Sequence, residues 1–168
     1  ENILSLAYMN TDTEYTLMYL DIDQLHVVND TFGRKMGDKV IQHFANILIE
    51  TLSVVSYRMI ARITGDTFAV LLQGFNIKDT AQLAEDIRKK VRKADYARVE
   101  GRTYRPTVSI GVSDLVRDSS GVRGALIPAQ ISCQAAKDRG RNRVEIYLTG
   151  DENIVKRFEE LQMIGSVR

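Results

Sequence analysis

Tyr15 to Ile22 (YTLMYLDI) is apolar on both sides of a pleat and carries one acid, Asp21, next to its end. A run that is apolar at odd and even positions alike belongs to a central strand buried on both faces. Two further apolar stretches, Tyr57 to Ile63 and Phe68 to Gln73, read as strands. The four residues between them, Thr64-Gly65-Asp66-Thr67, read as a hairpin turn.

Helical periodicity fills the intervals. Asn29 to Gly37 is turn-rich, and then Val40, Phe44, Ile47 and Leu48 recur at helical spacing, which predicts an amphipathic helix over Gly37 to Leu52. Ala84, Ile87, Val91 and Ala94 mark a second helix, about Asp79 to Ala97. In Tyr104 to Ser113, Val108, Ile110 and Val112 alternate with small residues, the pattern of another strand. After a polar loop, Arg117 to Gly124, a third helix runs from about Ala125 to Asp138, with Gly140 as its C-cap, and Arg143 to Leu148 is a last short strand. No internal repeat or low-complexity tract interrupts this order.

The order β-α-β-β-α-β, followed by an extra helix and strand, predicts an α+β fold with a ferredoxin-like core and C-terminal additions. In such a sheet the first strand pairs antiparallel with the strand after the hairpin. The end of Tyr15–Ile22 therefore meets the start of Phe68–Gln73, and Asp21 and Asp66 are expected to face each other there. Two carboxylates at one strand end can hold Mg²⁺, which prefers oxygen ligands and often shares them with substrate phosphates. Paired ions can clamp the attacking and leaving oxygens of a phosphoryl transfer. The same spacing also fits a purely structural role, with Asp66 stabilising a tight turn and Asp21 capping a strand.

A length of 168 residues suits one domain with a sizeable core, and 44% hydrophobic with 27% charged residues is ordinary for a soluble globular protein. The net charge of +1 gives no support to a general nucleic-acid or acidic-membrane role. Cys133 is the only cysteine, which excludes an intrachain disulfide and leads us to expect a reducing cytoplasm. No apolar run is long enough to span a bilayer, so any membrane link is not expected through this domain. His43 is expected on the polar side of its helix, and Cys133 as a small packing residue.

Four segments carry a specific resemblance. Asp21-Ile-Asp-Gln-Leu-His-Val-Val-Asn-Asp-Thr-Phe-Gly-Arg-Lys-Met-Gly-Asp38 resembles the D-x-D-x-F-K-x-x-N-D-x-x-G-x-x-x-G-D segment of the GGDEF family, the domain of bacterial diguanylate cyclases. Arg62-Ile-Thr-Gly-Asp-Thr-Phe68 falls where the R-x-G-G-D/E-E-F signature belongs. Thr107-Val-Ser-Ile-Gly-Val112 resembles the family's T-V-S-I-G-V strand, and Ala136-Lys-Asp-Arg-Gly-Arg-Asn-Arg143 its A-K-x-x-G-R-N-R ending. The matches come in order across Tyr15 to Leu148, so the GGDEF-type domain is placed at 15–150, behind a lead-in at 1–14.

The resemblance implies a core like that of nucleotide cyclases and polymerase palms. It implies condensation of two GTP into cyclic di-GMP across a homodimer. It implies Asp21, Asp66 and the Ile22 carbonyl as Mg²⁺ ligands, with Asp66 also catalytic. Asn29 and Asp38 would read the guanine edge, and Lys137 and Arg141 would contact phosphates. The chemistry suits each role, because a guanine edge offers donors to a carboxylate and an acceptor to an amide, and phosphates favour Lys and Arg. Lys137 and Arg141 also fit a plain helix end, where cations suit the dipole.

The signature itself departs from the family. It reads Thr64-Gly65-Asp66-Thr67-Phe68, so the second acid is the hydroxyl of Thr67 and the first Gly is Thr64. A hydroxyl cannot supply the charge that holds a second cation or helps activate a 3′-hydroxyl. Leu25 and His26 replace the family's Phe and Lys. Val55-Ser-Tyr-Arg58 lacks the product-binding R-x-x-D, so product feedback is not expected, and the family's D-x-L-T opening is absent from the first residues.

The reading is thus a degenerate domain that binds GTP with one Mg²⁺ and does not turn it over. The alternatives are an active diguanylate cyclase and a protein-interaction module without nucleotide. Ile154 to Arg168 resembles the helical linker that joins GGDEF to EAL phosphodiesterase domains. Segment 151–168 is therefore expected to lead to an EAL domain in the same polypeptide, which this domain would regulate, in a chain excised from a longer protein.

Overall fold

The computed structural model describes residues 14–94, 97–99, 102–115 and 122–147, with the side chains of 97–99, 102–103 and 122–125 outside that description. The expected linker helix therefore lies outside the described residues. Five strands form one sheet in the order β2-β3-β1-β6-β7: β1 is Tyr15–Ile22, β2 Arg58–Thr64, β3 Thr67–Gln73, β6 Val108–Asp114 and β7 Arg143–Ile146. β1 runs antiparallel to both neighbours, β3 and β6, and β7 is parallel to β6. This is the ferredoxin-like arrangement with an added helix and strand, as the sequence predicts.

The central place of β1 explains its composition. Its even residues Met18, Leu20 and Ile22 join Val70, Leu72, Ile110 and Val112 in the main core. Two helices cover that face: α2 (Arg34–Thr51) and α3 (Ile77–Lys93). Val40, Phe44 and Leu48 on α2, and Ala84, Ile87 and Val91 on α3, recur at three- and four-residue steps, which lines one helical face with apolar groups. The Asn76 side chain caps α3 by accepting from the Asp79 amide at 2.8 Å, and Lys90, Arg92 and Lys93 suit the negative end of its dipole.

The odd residues of β1 face the other way, toward α4 (Val122–Asp138). Tyr15, Leu17, Leu71 and Ala129 form a smaller core there. α4 lies chiefly over β6, with β1 and β7 to its sides. The fit leaves no room at Gly111: a Cβ there would stand 2.0 Å from the Ala129 carbonyl oxygen and 2.4 Å from the Cys133 nitrogen.

The structure revises several boundaries. A short helix α1, Leu25–Phe32, occupies part of the stretch read as turns. It buries only Leu25 and Val28 and starts from Gln24 in the left-handed region, φ 55°, so it carries neither a long apolar stripe nor a side-chain cap. The second helix stops at Lys93, and β4 (Ala97–Val99) pairs with β5 (Arg102–Tyr104) in a separate two-stranded ribbon. The third helix begins at Val122 rather than near Ala125, and tolerates Pro128. His43 is exposed, and Cys133 is buried with its thiol pushed up to about 12, chiefly by burial. No helix among the described residues is long and apolar enough to cross a membrane.

Candidate functional site

The site collects at the C-terminal end of β1. Asp21 pairs in register with Thr67 on one side and Ser109 on the other. Asp66 is one residue outside that register, and its carbonyl accepts from the Ile22 amide at 2.9 Å. The expected meeting of Asp21 and Asp66 is thus offset by one residue: the two acids are neighbours, and the residue directly opposite Asp21 is Thr67. The hairpin turn is held from below by Arg62, which donates to the carbonyls of Thr64 at 3.3 Å and Gly65 at 2.9 Å. Thr67 is buried and donates to the Asp66 carboxylate at 3.3 Å.

Because Asp21 is an odd residue, it points to the α4 side, where Lys137 forms an ion pair with its Oδ2. Burial raises the Asp21 pKa above the ordinary carboxylate value. Lys137 counteracts this, and the charges of Asp66 and Asp23 reinforce it. Lys137 shifts upward as well: burial disfavours its ammonium, but the contact with Asp21 and the charge of Asp66 outweigh burial. Asp21, Asp66 and Asp23 thus lie near one another, with the Lys137 ammonium paired to Asp21 among them.

Asp21 and Asp66 fit a hard divalent cation, since Mg²⁺ is commonly bound by one or two carboxylates with water and phosphate oxygens completing its shell. Among the described residues no group of three or more His, Cys, Asp or Glu side chains converges as a ready-made cage. The remaining ligands would be neutral oxygens, of which the Ile22 carbonyl is the expected one.

Asn29 and Asp38 sit on separate helices, α1 and α2, joined through Gly33. A Cβ at Gly37 would lie 1.8 Å from Asn29 Oδ1, so the Asn29 amide rests directly on the Gly37 backbone. Asp38 follows that glycine and is exposed, just past the first turn of α2. The two expected base-reading residues are thus linked through Gly37, which Asn29 touches and Asp38 follows. Arg141 is exposed, on a turn after α4 in which it and Asn142 have φ values of 63° and 48°. Its amide donates to the Ala136 carbonyl at 2.9 Å, which holds the turn against the residue next to Lys137. His26 is exposed on α1.

One residue that the sequence reading left without a role is central here. Asp23, buried in the turn between β1 and α1, accepts from Thr107 Oγ1 at 2.7 Å, Ser109 Oγ at 2.7 Å and the Asn142 amide at 3.1 Å. The signal that could have found it is its place in D-x-D, where one acid projects into the site and the other ties down its floor.

Comparison with known proteins agrees with this architecture. A family model described as "Diguanylate cyclase, GGDEF domain" matches residues 1–143. Over 146 residues the chain is 30% identical to the "Probable diguanylate cyclase DgcE" of Escherichia coli, covering 86% of this chain and 13% of that protein. It is 29% identical to the "Biofilm architecture maintenance protein MbaA" of Vibrio cholerae, covering 95% of this chain and 21% of the relative. The chain thus spans only a small part of the length of these relatives. Among solved structures, the GGDEF domain of DgcB from Caulobacter crescentus, in complex with c-di-GMP, superimposes with a TM-score of 0.78 at 26% identity, over 86% of this chain and 84% of that one.

Proposed function

Because the chain belongs to the GGDEF family of diguanylate cyclase domains, which act in cyclic di-GMP signalling, we propose that this domain binds GTP and does not condense it. The observation that carries the reading is Thr67, which stands opposite Asp21 with its hydroxyl turned to Asp66. At that point the family signature has an acid. A neutral hydroxyl neither gathers a second cation nor draws a proton from a 3′-hydroxyl.

The rest of the pocket supports retained binding. Asn29 and Asp38 offer an acceptor and donor set for a guanine edge. Lys137 and Arg141 offer cations for phosphates, and Asp21 and Asp66 offer oxygens for one Mg²⁺, the ion the cyclase family typically uses. That ion, when bound, screens the triphosphate charge. This chain's own residues orient the base and hold the phosphate tail. In this reading the domain is a regulatory module, and its partner is the EAL phosphodiesterase domain expected beyond Arg168.

Titration calorimetry with GTP and Mg²⁺, run beside chromatography for cyclic di-GMP, tests this. Heat of binding without product is the expected result, and an absence of heat removes the proposal. The second reading, an active cyclase, draws on the intact cluster of Asp21, Asp66 and Lys137, and cyclic di-GMP formed by the purified domain would establish it.

A further inference from the structure

The Arg141–Asn142 turn is an unusual piece of backbone. Two consecutive residues that are not glycine occupy the left-handed region, at φ 63° and 48°. Side chains rarely accept that conformation, and it persists only where surrounding contacts fix it. Asp23 supplies one such contact: its Oδ2 accepts from the Asn142 amide at 3.1 Å and from Thr107 Oγ1 at 2.7 Å. Its Oδ1 accepts from Ser109 Oγ at 2.7 Å, and its own amide donates to the Thr107 carbonyl at 2.9 Å. Arg88 of α3 supplies the other contact, donating to Asn142 Oδ1 at 3.0 Å while Glu85 holds its guanidinium.

One buried carboxylate thus ties together the end of β1, the start of β6 and the turn that follows α4. Two residues before it, Asp21 grips Lys137, and the Arg141 amide is bonded to Ala136, beside Lys137. The backbone turn that carries Arg141 is therefore tied to β1. We propose that Asp23 is a positioning residue for nucleotide phosphates: it sets the turn that presents Arg141 to the pocket occupied by Lys137 and Asp21. This rests on the GTP-binding reading above.

The test is a double-mutant cycle read by GTP affinity in the presence of Mg²⁺. Asp23→Ala is expected to weaken GTP binding about tenfold, the loss of one charge-assisted contact, and to match Arg141→Ala. The double variant is expected to be no weaker than either single one, because Asp23 acts through Arg141. Asp23→Asn keeps an acceptor for Thr107 and Asn142, and the Ser109 hydroxyl can turn to accept from the new amide. It is expected to retain affinity within about threefold, since geometry rather than charge is what Asp23 provides.

Additive losses, or wild-type affinity in Asp23→Ala, would overturn the inference while leaving GTP binding intact. An unaltered protein that binds no GTP would remove the underlying reading and the inference with it. If Asp23→Ala does not fold, the near-isosteric Thr107→Val removes the hydroxyl that holds Asp23 Oδ2 under the Asn142 amide and is expected to weaken GTP binding without adding to the loss in Arg141→Ala; unchanged affinity, or an additive loss, overturns the inference equally.

Discussion

Thr67 stands directly opposite Asp21 across the β1–β3 ladder, buried and bonded to the neighbouring Asp66 carboxylate. In the proposed reading, the site is therefore one acid short at the point where β1 and β3 converge.

Restoring the acid tests this relationship. Thr67→Glu, combined with Thr64→Gly, is expected to raise cyclic di-GMP formation from GTP by at least about 100-fold, since even an outer-shell partner of a metal is worth about 10–100-fold. Mass spectrometry of the reaction mixture gives the answer, and no product from the double variant would mean that more than one acid is missing.

The Asp21–Lys137 pair sets a pH dependence. Burial and neighbouring carboxylates hold Asp21 above its ordinary 3.8, so the folded chain binds that proton more tightly than the unfolded chain. Its stabilisation is complete below pH 3.8 and is lost as pH rises through the folded-state value. Lys137 is held above 10.5, so its contribution is complete below that pH and is lost as pH climbs through its folded-state value. Lys137→Met removes the second contribution and deepens the loss from the first. Its expected cost near neutral pH is about 1–2 kcal/mol, below that of a fully buried pair because the Lys side chain is partly exposed. In urea titrations the gap to the unaltered protein should widen as pH rises from about 4 to 7 and close above pH 10.5. A gap that stays constant over this range would contradict the pairing.

Gly37→Ala separates binding from stability. In a helix the change gains up to about 1 kcal/mol, but the new methyl would displace the Asn29 side chain from its seat. Melting temperature is expected to change little, because Asn29 is partly exposed and can rotate away. GTP affinity is expected to fall about tenfold, as when a base-edge hydrogen bond is lost. Asn29→Ala in the same background should add nothing further.

Gly111→Ala has no such escape, since its neighbours are backbone atoms of α4. Overpacking of this kind costs about 1–3 kcal/mol or more. A drop of several degrees in thermal melting, with α4 pushed from the sheet, is the expected outcome; a melting point at the unaltered value would mean that helix and strand are not in contact here.

The strands and long helices were legible because their signals are periodic: Met18, Leu20 and Ile22 on β1 and Val40, Phe44 and Leu48 on α2 each mark a face. The helix at Leu25–Phe32 was not, since its eight residues hold only one short run of core contacts, Leu25, Val28 and Phe32, and the strands of the β4–β5 ribbon are three residues each, too short to alternate. At the site, strand order alone brought Asp21 near Asp66. Asp23 stayed hidden because its partners lie 84, 86 and 119 residues along the chain. Only the assembled sheet shows that a carboxylate two residues from a candidate ligand serves as an internal tie.

The bare contact between Gly111 and the backbone of α4 has a mechanical consequence. With no side chain between them, α4 rests backbone to backbone on β6, as a beam rests on a rail. Lys137 rides near the far end of that beam. A shift of β6 is thereby handed to α4, and with it to Lys137, without an intervening side chain.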